Sequence, residues 1–248
     1  MNNDGSDLII PDDYVGTLRQ CQGFYQCPYE NGKPVGLLVG YAGTYRYAGE
    51  FEEHNYVGDT YYNFSRADQY PAVLTYFAEA MARNLTDADI RPTVILGAPM
   101  AGLKFSQEVA RLLGCRHIFA EKVAALSDDG KSLKTRIALA RYEINPGDRV
   151  VIGEELVNNC STTAQLIELV RNAGGHVIGI MCAINRSSPF IIQYAGIPVM
   201  SVIGKETPQY KQDDPLVAGL VRRGSIIWKP KIRDWPRLLQ VMKNFKMI

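Results

Sequence analysis

The chain has 248 residues, and its 27 Lys and Arg against 26 Asp and Glu give a net charge of +1 at pH 7. Hydrophobic residues make up 46% and charged residues 21%, a composition typical of a globular protein. The balanced charge argues against a protein that holds nucleic acid through clustered Lys and Arg. No stretch approaches the roughly 20 apolar residues of a membrane span. We therefore expect neither a nucleic-acid partner nor a membrane partner.

The cysteines indicate a reducing environment. There are five, at positions Cys21, Cys27, Cys115, Cys160 and Cys182. The number is odd and no C-x-x-C occurs, so the pattern predicts neither a disulfide framework nor a zinc knuckle. The N-terminal MNNDGSDLII has no basic segment followed by an apolar one, so no signal peptide is predicted. We expect reduced thiols in a cytoplasmic protein.

The first third of the chain has a texture of its own. Residues 1–66 are rich in Tyr and Gly and predict short strands joined by tight turns. A helix is predicted over 67–84, where Pro71 suits the first turn and apolar residues form one stripe. This segment predicts an N-terminal hood followed by a first helix.

From residue 93 onward, strands and helices alternate. The apolar runs predict strands at 93–97, 116–120, 149–153, 176–184 and 198–203. Helices are predicted between the first two of these strands, ending at Gly114, and over 162–172. The polar stretch 127–136 is predicted to be an exposed loop, and an amphipathic helix is expected from Trp235.

This alternation predicts an α/β fold, a Rossmann-like doubly wound parallel sheet with helices on both faces. We expect three parts. Residues 1–88 would form the hood and first helix, residues 89–205 the core, and residues 206–248 a C-terminal extension packing on the core.

The segment VVIGEELVNNCSTT (Val150–Thr163) carries the strongest chemical signal. A buried strand runs into Glu154 and Glu155, and a small polar loop follows before a helix. Ligands of open parallel sheets bind beyond the carboxyl ends of the strands, and a helix N-terminus there suits a phosphate. The two carboxylates could hold ribose hydroxyls or, through water, reach a magnesium ion. The alternative is a capped turn with two solvated acids.

The segment LGAPMAGLKFSQEVARLLG (Leu96–Gly114) is a second strand-to-helix junction. Gly97 and Gly102 stand at the end of a strand, where the absence of a side chain lets the backbone approach a ligand closely. An ordinary turn that uses glycine is the alternative.

Together these motifs resemble type I phosphoribosyltransferases. The resemblance implies that Glu154 and Glu155 contact the ribose hydroxyls of phosphoribosyl pyrophosphate (PRPP). It also implies two binding loops for PRPP, a phosphate loop of Asn158, Asn159, Cys160, Ser161 and Thr162, and a pyrophosphate loop that includes Gly97, Ala101 and Gly102. The chain departs from the family pattern at Glu155, where Asp is usual, and at Asn159 and Cys160, where Gly is usual.

Three further matches point to orotate phosphoribosyltransferases. Tyr61, Tyr62 and Asn63 match an aromatic pair followed by Asn that lines the pyrimidine pocket. Arg186 follows a strand at the place of an Arg that pairs with the orotate carboxylate, a task that suits the planar guanidinium. Lys122 fits one basic position of a mobile loop that closes over the pyrophosphate.

Other positions depart from that subfamily. These enzymes often carry Lys where this chain has Ala101, and Lys104 is the nearest cation. Glu121 stands where Arg is common, and no Lys-x-His follows. Positive charge could come instead from Lys131, Lys134 and Arg136.

The resemblance implies transfer of the phosphoribosyl group of PRPP to orotate, giving orotidine monophosphate and pyrophosphate, with Mg²⁺ as cofactor and a homodimer as the assembly. Glu154, Glu155 and Lys122 would be the catalytic residues, and no metal ligand is assigned. Two alternatives stay open. One is a transferase for another base, such as a purine, whose neutral ring offers Arg186 no carboxylate. The other is a non-catalytic protein that binds PRPP or a nucleotide.

Overall fold

The computed structural model describes residues 13–126 and 133–247. The α-helices of these residues are, in chain order, α1 Tyr14–Gln20, α2 Pro71–Asp87, α3 Leu103–Leu113, α4 Ser161–Asn172, α5 Ala218–Arg222 and α6 Trp235–Asn244. The helix predicted over 67–84 begins later, at Pro71, because the residue before a proline avoids the helical region, and Tyr70 is extended. The helix α3 ends, as predicted, at Gly114, whose φ of 65° is left-handed.

The strands of the same residues include a counterpart of each of the five strands that apolar runs predict. In chain order, the strands are β1 Phe24–Gln26, β2 Tyr29–Glu30, β3 Lys33–Pro34, β4 Leu38–Tyr45, β5 His54–Gly58, β6 Thr60–Tyr62, β7 Val94–Gly97, β8 Arg116–Phe119, β9 Glu121–Leu126, β10 Leu133–Ala138, β11 Arg149–Val157, β12 His176–Asn185, β13 Gln193–Tyr194, β14 Ile197–Gly204 and β15 Ile226–Trp228. In the described residues, no helix is long and apolar enough to cross a bilayer.

The chain divides into two compact units. The hood unit combines the chain up to Ala67 with the chain from Thr207 onward, and the core unit is Asp68–Glu206. This corrects the expected division at two points. The first boundary falls at residue 67 rather than 88, so α2 belongs to the core unit. The C-terminal extension belongs to the hood unit.

The core unit is built on a sheet with the strand order β13-β14-β12-β11-β7-β8. All neighbouring pairs are parallel except β13 with β14 at one edge. Ile152 of β11 shares an apolar cluster with Leu166 of α4, whereas the next residue, Gly153, lies against Ser106 of α3. Successive residues of a strand face opposite sides of the sheet, so α3 and α4 cover opposite faces. The predicted doubly wound sheet is confirmed.

The polar stretch predicted as a loop is in part a strand. β9 and β10 form an antiparallel hairpin in which Lys122 pairs with Ile137 and Thr135 pairs with Ala124. Residues 127–132 of the predicted loop lie outside the described residues, but 133–136 belong to β10. The reason is the alternation of charged residues with Thr135 and Ile137, since Ile137 is half-buried and packs on the core cluster.

The hood unit contains a three-stranded sheet of order β15-β4-β5. β15 pairs with β4 in parallel, with Ile226 opposite Leu38, so the C-terminal segment completes a sheet begun near the N-terminus. Behind this sheet, α6 buries Trp235 and Leu238 in a cluster that includes Val39. The predicted amphipathic C-terminal helix is confirmed, and its apolar face supports the hood.

Candidate active site

The acid pair lies near the carboxyl end of β11, which runs between β12 and β7. The strand continues past Gly153, where the sequence pattern ends it, to Val157. Glu154 is therefore a strand residue opposite Cys182 of β12, and it lies on the α4 face of the sheet. Strand alternation places Glu155 on the α3 face. The two acids thus diverge from one strand rather than lying side by side.

Glu154 has a defined neighbour. Thr163, the third residue of α4, donates a hydrogen bond from Oγ1 to Glu154 Oε1 over 3.1 Å. Thr163 is only 1% exposed, and Glu154 is half-buried. Burial raises the pKa of Glu154 to about 7, the Thr163 hydrogen bond opposes this rise, and the charge of Glu155 adds to it. Glu154 can therefore take up or release a proton near neutral pH.

The predicted phosphate loop connects β11 to α4. Cys160 is the N-cap residue of α4 and has a φ of 56°, in the left-handed region that glycine adopts most easily. Its side chain is 5% exposed and packs into the apolar core, so it turns away from solvent. Asn159 Oδ1 accepts a hydrogen bond from the Ser161 N–H at 3.3 Å. Burial raises the pKa of Cys160 to about 11, so it is a neutral thiol at physiological pH.

The predicted pyrophosphate loop, residues 97–102, runs from the last residue of β7 to α3. The Ala98 N–H donates to the Gly153 carbonyl over 2.8 Å, which fixes the loop against the strand that carries the acid pair. A Cβ on Gly102 would lie 2.5 Å from the same carbonyl oxygen, so the close approach requires glycine. Ala101 is exposed, Met100 is 79% exposed, and the Pro99–Met100 peptide bond is cis. Both loops therefore lie at the carboxyl edge of the sheet.

The cations near these loops lie on different elements. Lys104 is in the first turn of α3, and its Nζ lies 3.1 Å from Oδ1 of the buried Asp68. Lys122 is an exposed residue of the β9–β10 hairpin. The residue before it, Glu121, forms an ion pair with Arg141 at 3.0 Å. The structure thus places Lys122 on the hairpin and outside both loops.

Arg186 lies directly after β12 and is a buried residue, 8% exposed. Its N–H donates to the Val157 carbonyl over 3.0 Å, which joins the end of β12 to the end of β11. The flanking Asn185 Oδ1 accepts hydrogen bonds from Ser187 N–H at 3.2 Å and Ser187 Oγ at 2.7 Å. The loop that carries Arg186 is therefore well anchored at the same edge as the acid pair.

Tyr61, Tyr62 and Asn63 belong to the hood unit. Tyr62 is 4% exposed, and its ring centroid lies 5.2 Å from that of Phe24. Tyr61 is half-buried, with its ring centroid 6.3 Å from that of Trp235. The two tyrosines are thus part of the packing of the hood unit, and their binding of a base stays a prediction.

Two residues of the site were missed by sequence reasoning. Thr163 contacts Glu154, and Ser106 donates from Oγ to the Gly102 carbonyl at 2.5 Å. A signal for Thr163 existed in its position, because the third residue of a helix can face back toward the preceding strand.

Comparisons with known proteins identify the family of the chain. The phosphoribosyl transferase domain family matches residues 67–194, just over half of the chain. A Caldanaerobacter subterraneus protein named orotate phosphoribosyltransferase is 30% identical over 175 residues, covering 71% of this chain and 84% of that protein. A Deinococcus radiodurans protein, also named orotate phosphoribosyltransferase, is 31% identical over 142 residues, which cover 54% of this chain and 67% of that protein. The solved structure of Leishmania donovani UMP synthase shares the fold at 18% identity, with a TM-score of 0.50, over 93% of this chain and 42% of that one.

Proposed function

The chain belongs to the phosphoribosyl transferase family, and from this premise we propose that it transfers the phosphoribosyl group of PRPP to orotate. It is a pentosyltransferase, and the choice of base is the proposed step. The products would be orotidine monophosphate and pyrophosphate. The proposal is supported by the relatives named orotate phosphoribosyltransferase and, within the chain itself, by Arg186.

Arg186 is the single observation on which the choice of base depends. A guanidinium binds a carboxylate through two parallel hydrogen bonds, and orotate carries a carboxylate whereas a purine base does not. A charge-assisted hydrogen bond is stronger where the surroundings exclude water, and Arg186 is 8% exposed. A buried guanidinium is stabilised by pairing with a negative charge, so this position favours an anionic base.

The chemistry asks the protein for positioning more than for covalent help. When pyrophosphate leaves the anomeric carbon, positive charge develops on the ribose, and fixed carboxylates nearby stabilise it. We assign Glu154 and Glu155 to the ribose hydroxyls, because both lie at the carboxyl edge of the sheet. The 5′-phosphate would lie at the N-terminus of α4, against the backbone of 158–162. The pyrophosphate would lie against the backbone of 97–102, with Lys122 as a neighbouring cation.

The donor set of the chain fits a magnesium ion that arrives with its substrate. Among the described residues, no group of three or more His, Cys, Asp and Glu side chains could hold a metal ion. Magnesium usually keeps several waters and binds through few carboxylates together with substrate phosphates. We therefore propose that Mg²⁺ is held mainly by the pyrophosphate oxygens of PRPP, whose charge it would neutralise.

Two finer properties are also proposals. The five cysteines all lie in described residues and are free thiols, which supports a cytoplasmic location. A homodimer is expected from the family resemblance, and sedimentation equilibrium of the purified protein would test it.

The first experiment is a calorimetric titration of the protein with PRPP and magnesium, followed by addition of orotate with absorbance recorded. PRPP binding with orotate turnover would support the proposal. Turnover with adenine and none with orotate would contradict the choice of base. A protein that does not bind PRPP at all would contradict the assignment of both loops.

Arg186→Ala then tests the residue that selects the base. Losing hydrogen bonds to a charged partner costs about 1.5–3 kcal/mol, so the KM for orotate should rise roughly 10- to 100-fold while the KM for PRPP stays within about twofold. Arg186→Lys is the matched control, since it keeps the charge without the planar guanidinium. Its KM for orotate should lie between those of the wild-type protein and Arg186→Ala. Equal effects on both substrates would remove the case for orotate.

A further inference from the structure

We propose that Thr163 is a positioning residue for phosphoribosyl transfer, whose hydroxyl holds the carboxyl group of Glu154 so that its second oxygen faces a ribose hydroxyl of PRPP. The inference rests on the proposed function, from which it takes the role of Glu154 at the ribose. Thr163 itself lies outside both binding loops.

The Thr163 hydroxyl bonds a side chain rather than the backbone. Threonine in a helix commonly donates to the backbone carbonyl four residues earlier, as Thr86 of α2 does to Ala82 at 2.8 Å. Thr163 instead donates to Oε1 of Glu154, over 3.1 Å. The contact joins the first turn of α4 to the strand that carries the acid pair, across a nine-residue interval that contains the whole phosphate loop. The hydroxyl therefore links the helix that follows the phosphate loop to the carboxylate proposed to bind the ribose.

The Thr163 hydroxyl is held rigidly. Thr163 is 1% exposed, so the close packing around it and its hydrogen bond to Glu154 hold the hydroxyl in one position. The terminal torsion of a glutamate is broad and holds its carboxylate only loosely unless a partner fixes it. With Oε1 held, Oε2 keeps one direction, and the entropy of ordering the carboxylate is lost on folding rather than on substrate binding.

The surroundings of Glu154 make a neutral donor valuable. The titratable groups that act on it are Glu155 on the same strand, Cys160 in the loop, and Cys182 directly opposite on β12. Burial raises the pKa of both thiols above the physiological range, so they stay uncharged. Glu155 is an acid and repels a second negative charge. The Thr163 hydroxyl stabilises the ionised form of Glu154 against this repulsion and against its burial.

The test is Thr163→Val, which replaces the hydroxyl by a methyl group of similar size, with PRPP binding measured by calorimetry in the absence of any base. The Kd for PRPP should rise roughly tenfold, because a hydrogen bond to a charged group is lost. The pH at which PRPP binding is half-maximal on the acid side should move upward, because the lost donor favoured the ionised form of Glu154. Thr163→Ser restores a hydroxyl and should return both quantities close to their original values.

Thr86→Val is the matched control. It makes the same change on α2, where the hydroxyl is bonded to a backbone carbonyl and exposed, and PRPP affinity should not change. A merely structural role of Thr163 would lower thermal stability without moving the pH profile. If Thr163→Val does not fold, Thr163→Ala, which introduces no bulk, takes its place in the same measurements.

The outcomes separate the two proposals. If the wild-type protein binds PRPP and the Thr163 variants bind it equally well with the same pH profile, the role of Thr163 is overturned and the proposed function stands. If PRPP binding responds to Thr163 but orotate is not turned over, the choice of base is overturned and the role of Thr163 is supported. Failure of the wild-type protein to bind PRPP would overturn both.

Discussion

Ser106 Oγ lies against Gly153, so close that a Cβ atom on Gly153 would overlap it. Ser106 is fully buried in α3, where it also bonds the carbonyl of Gly102, and Gly153 is the residue directly before Glu154. One small side chain thus touches both the end of the pyrophosphate loop and the backbone that presents the acid pair. Position 153 requires glycine because Ser106 of α3 leaves no room for a side chain there, and not because of the backbone conformation of Gly153.

Gly153→Ala should therefore lower the free energy of unfolding by about 1–3 kcal/mol, the usual cost of overpacking a core. Removing the obstructing side chain as well, in the double variant with Ser106→Gly, should recover part of that loss. Urea denaturation of the two single variants and the double variant measures the coupling. Simple additivity of the two changes would contradict the predicted clash.

Gly179→Ala on β12 is the control for this prediction. A Cβ at Gly179 would be 3.4 Å from the nearest atom, Val151 Cγ2, which is an ordinary contact. The variant should unfold within about 0.5 kcal/mol of the wild-type protein or be slightly more stable, since alanine restricts the unfolded chain.

At position 160 we expect the glycine variant to be more stable than the alanine variant, the reverse of the usual order. At most positions glycine is the less stable, but the φ of 56° at Cys160 costs an L-residue about 1 kcal/mol that glycine avoids. Both variants lose the buried thiol, so Cys160→Gly should be about 1 kcal/mol more stable than Cys160→Ala. Urea denaturation of the two variants decides it, and the ordinary order would show that the loop readjusts around residue 160.

Glu154 should make the stability of the protein depend on pH in a predictable direction. Its folded pKa, about 7, lies above the ordinary value of 4.5, so between these two pH values the folded state binds more protons than the unfolded state. Its contribution to stability is fully present below pH 4.5 and is lost as the pH rises through about 7. The shift corresponds to on the order of 3 kcal/mol, of which partial exposure leaves about 2.

Glu154→Gln removes this dependence. The variant should gain stability relative to the wild-type protein as the pH rises from about 4.5 to 7, and the difference should then stay constant. Thermal unfolding at several pH values measures it, with Glu168→Gln on α4 as the control. A difference that does not change with pH would show that Glu154 titrates normally.

Glu155→Gln should abolish engagement of the ribose, because the amide places an N–H₂ donor where a carboxylate would accept from hydroxyls. Calorimetric titration with PRPP and magnesium measures this loss. Glu168→Gln makes the same chemical change on the exposed face of α4 and should leave PRPP binding unaltered. Normal PRPP binding by Glu155→Gln would show that the acid pair does not serve the ribose.

The core sheet could be predicted because each strand is a short apolar run bounded by turn residues, a signal contained in neighbouring positions. The hairpin at β10 was missed because Lys134 and Arg136 were given more weight than the alternation with Thr135 and Ile137. The apolar run at Ile226–Trp228 is visible in the sequence, but its partner, Leu38–Gly40, cannot be found from local pattern. The extension was accordingly expected on the core.

In the candidate site, too, local sequence pattern identifies residues but not the contacts between elements. Glu154 and Glu155 could be identified from their place after an apolar run, and the structure confirms that they lie near the carboxyl end of a parallel strand. They point to opposite faces of the sheet because β11 continues to Val157. The apolar pattern ends at Gly153, so it does not predict this continuation. The contacts of Thr163 and Ser106 depend on packing between elements, which spacing along the chain does not encode.

The parallel pairing of Leu38 with Ile226 affects the order in which the parts of the protein can fold during synthesis. The core unit is one continuous segment and can fold as soon as it leaves the ribosome. The hood unit cannot, because β4 lacks a neighbour on one side until the last part of the chain is synthesised. Throughout that interval β4 presents an unpaired edge of the kind that templates association between chains. Synthesis of β15 covers this edge, so we expect the tendency of newly made copies to associate through β4 to end once Trp228 has been added.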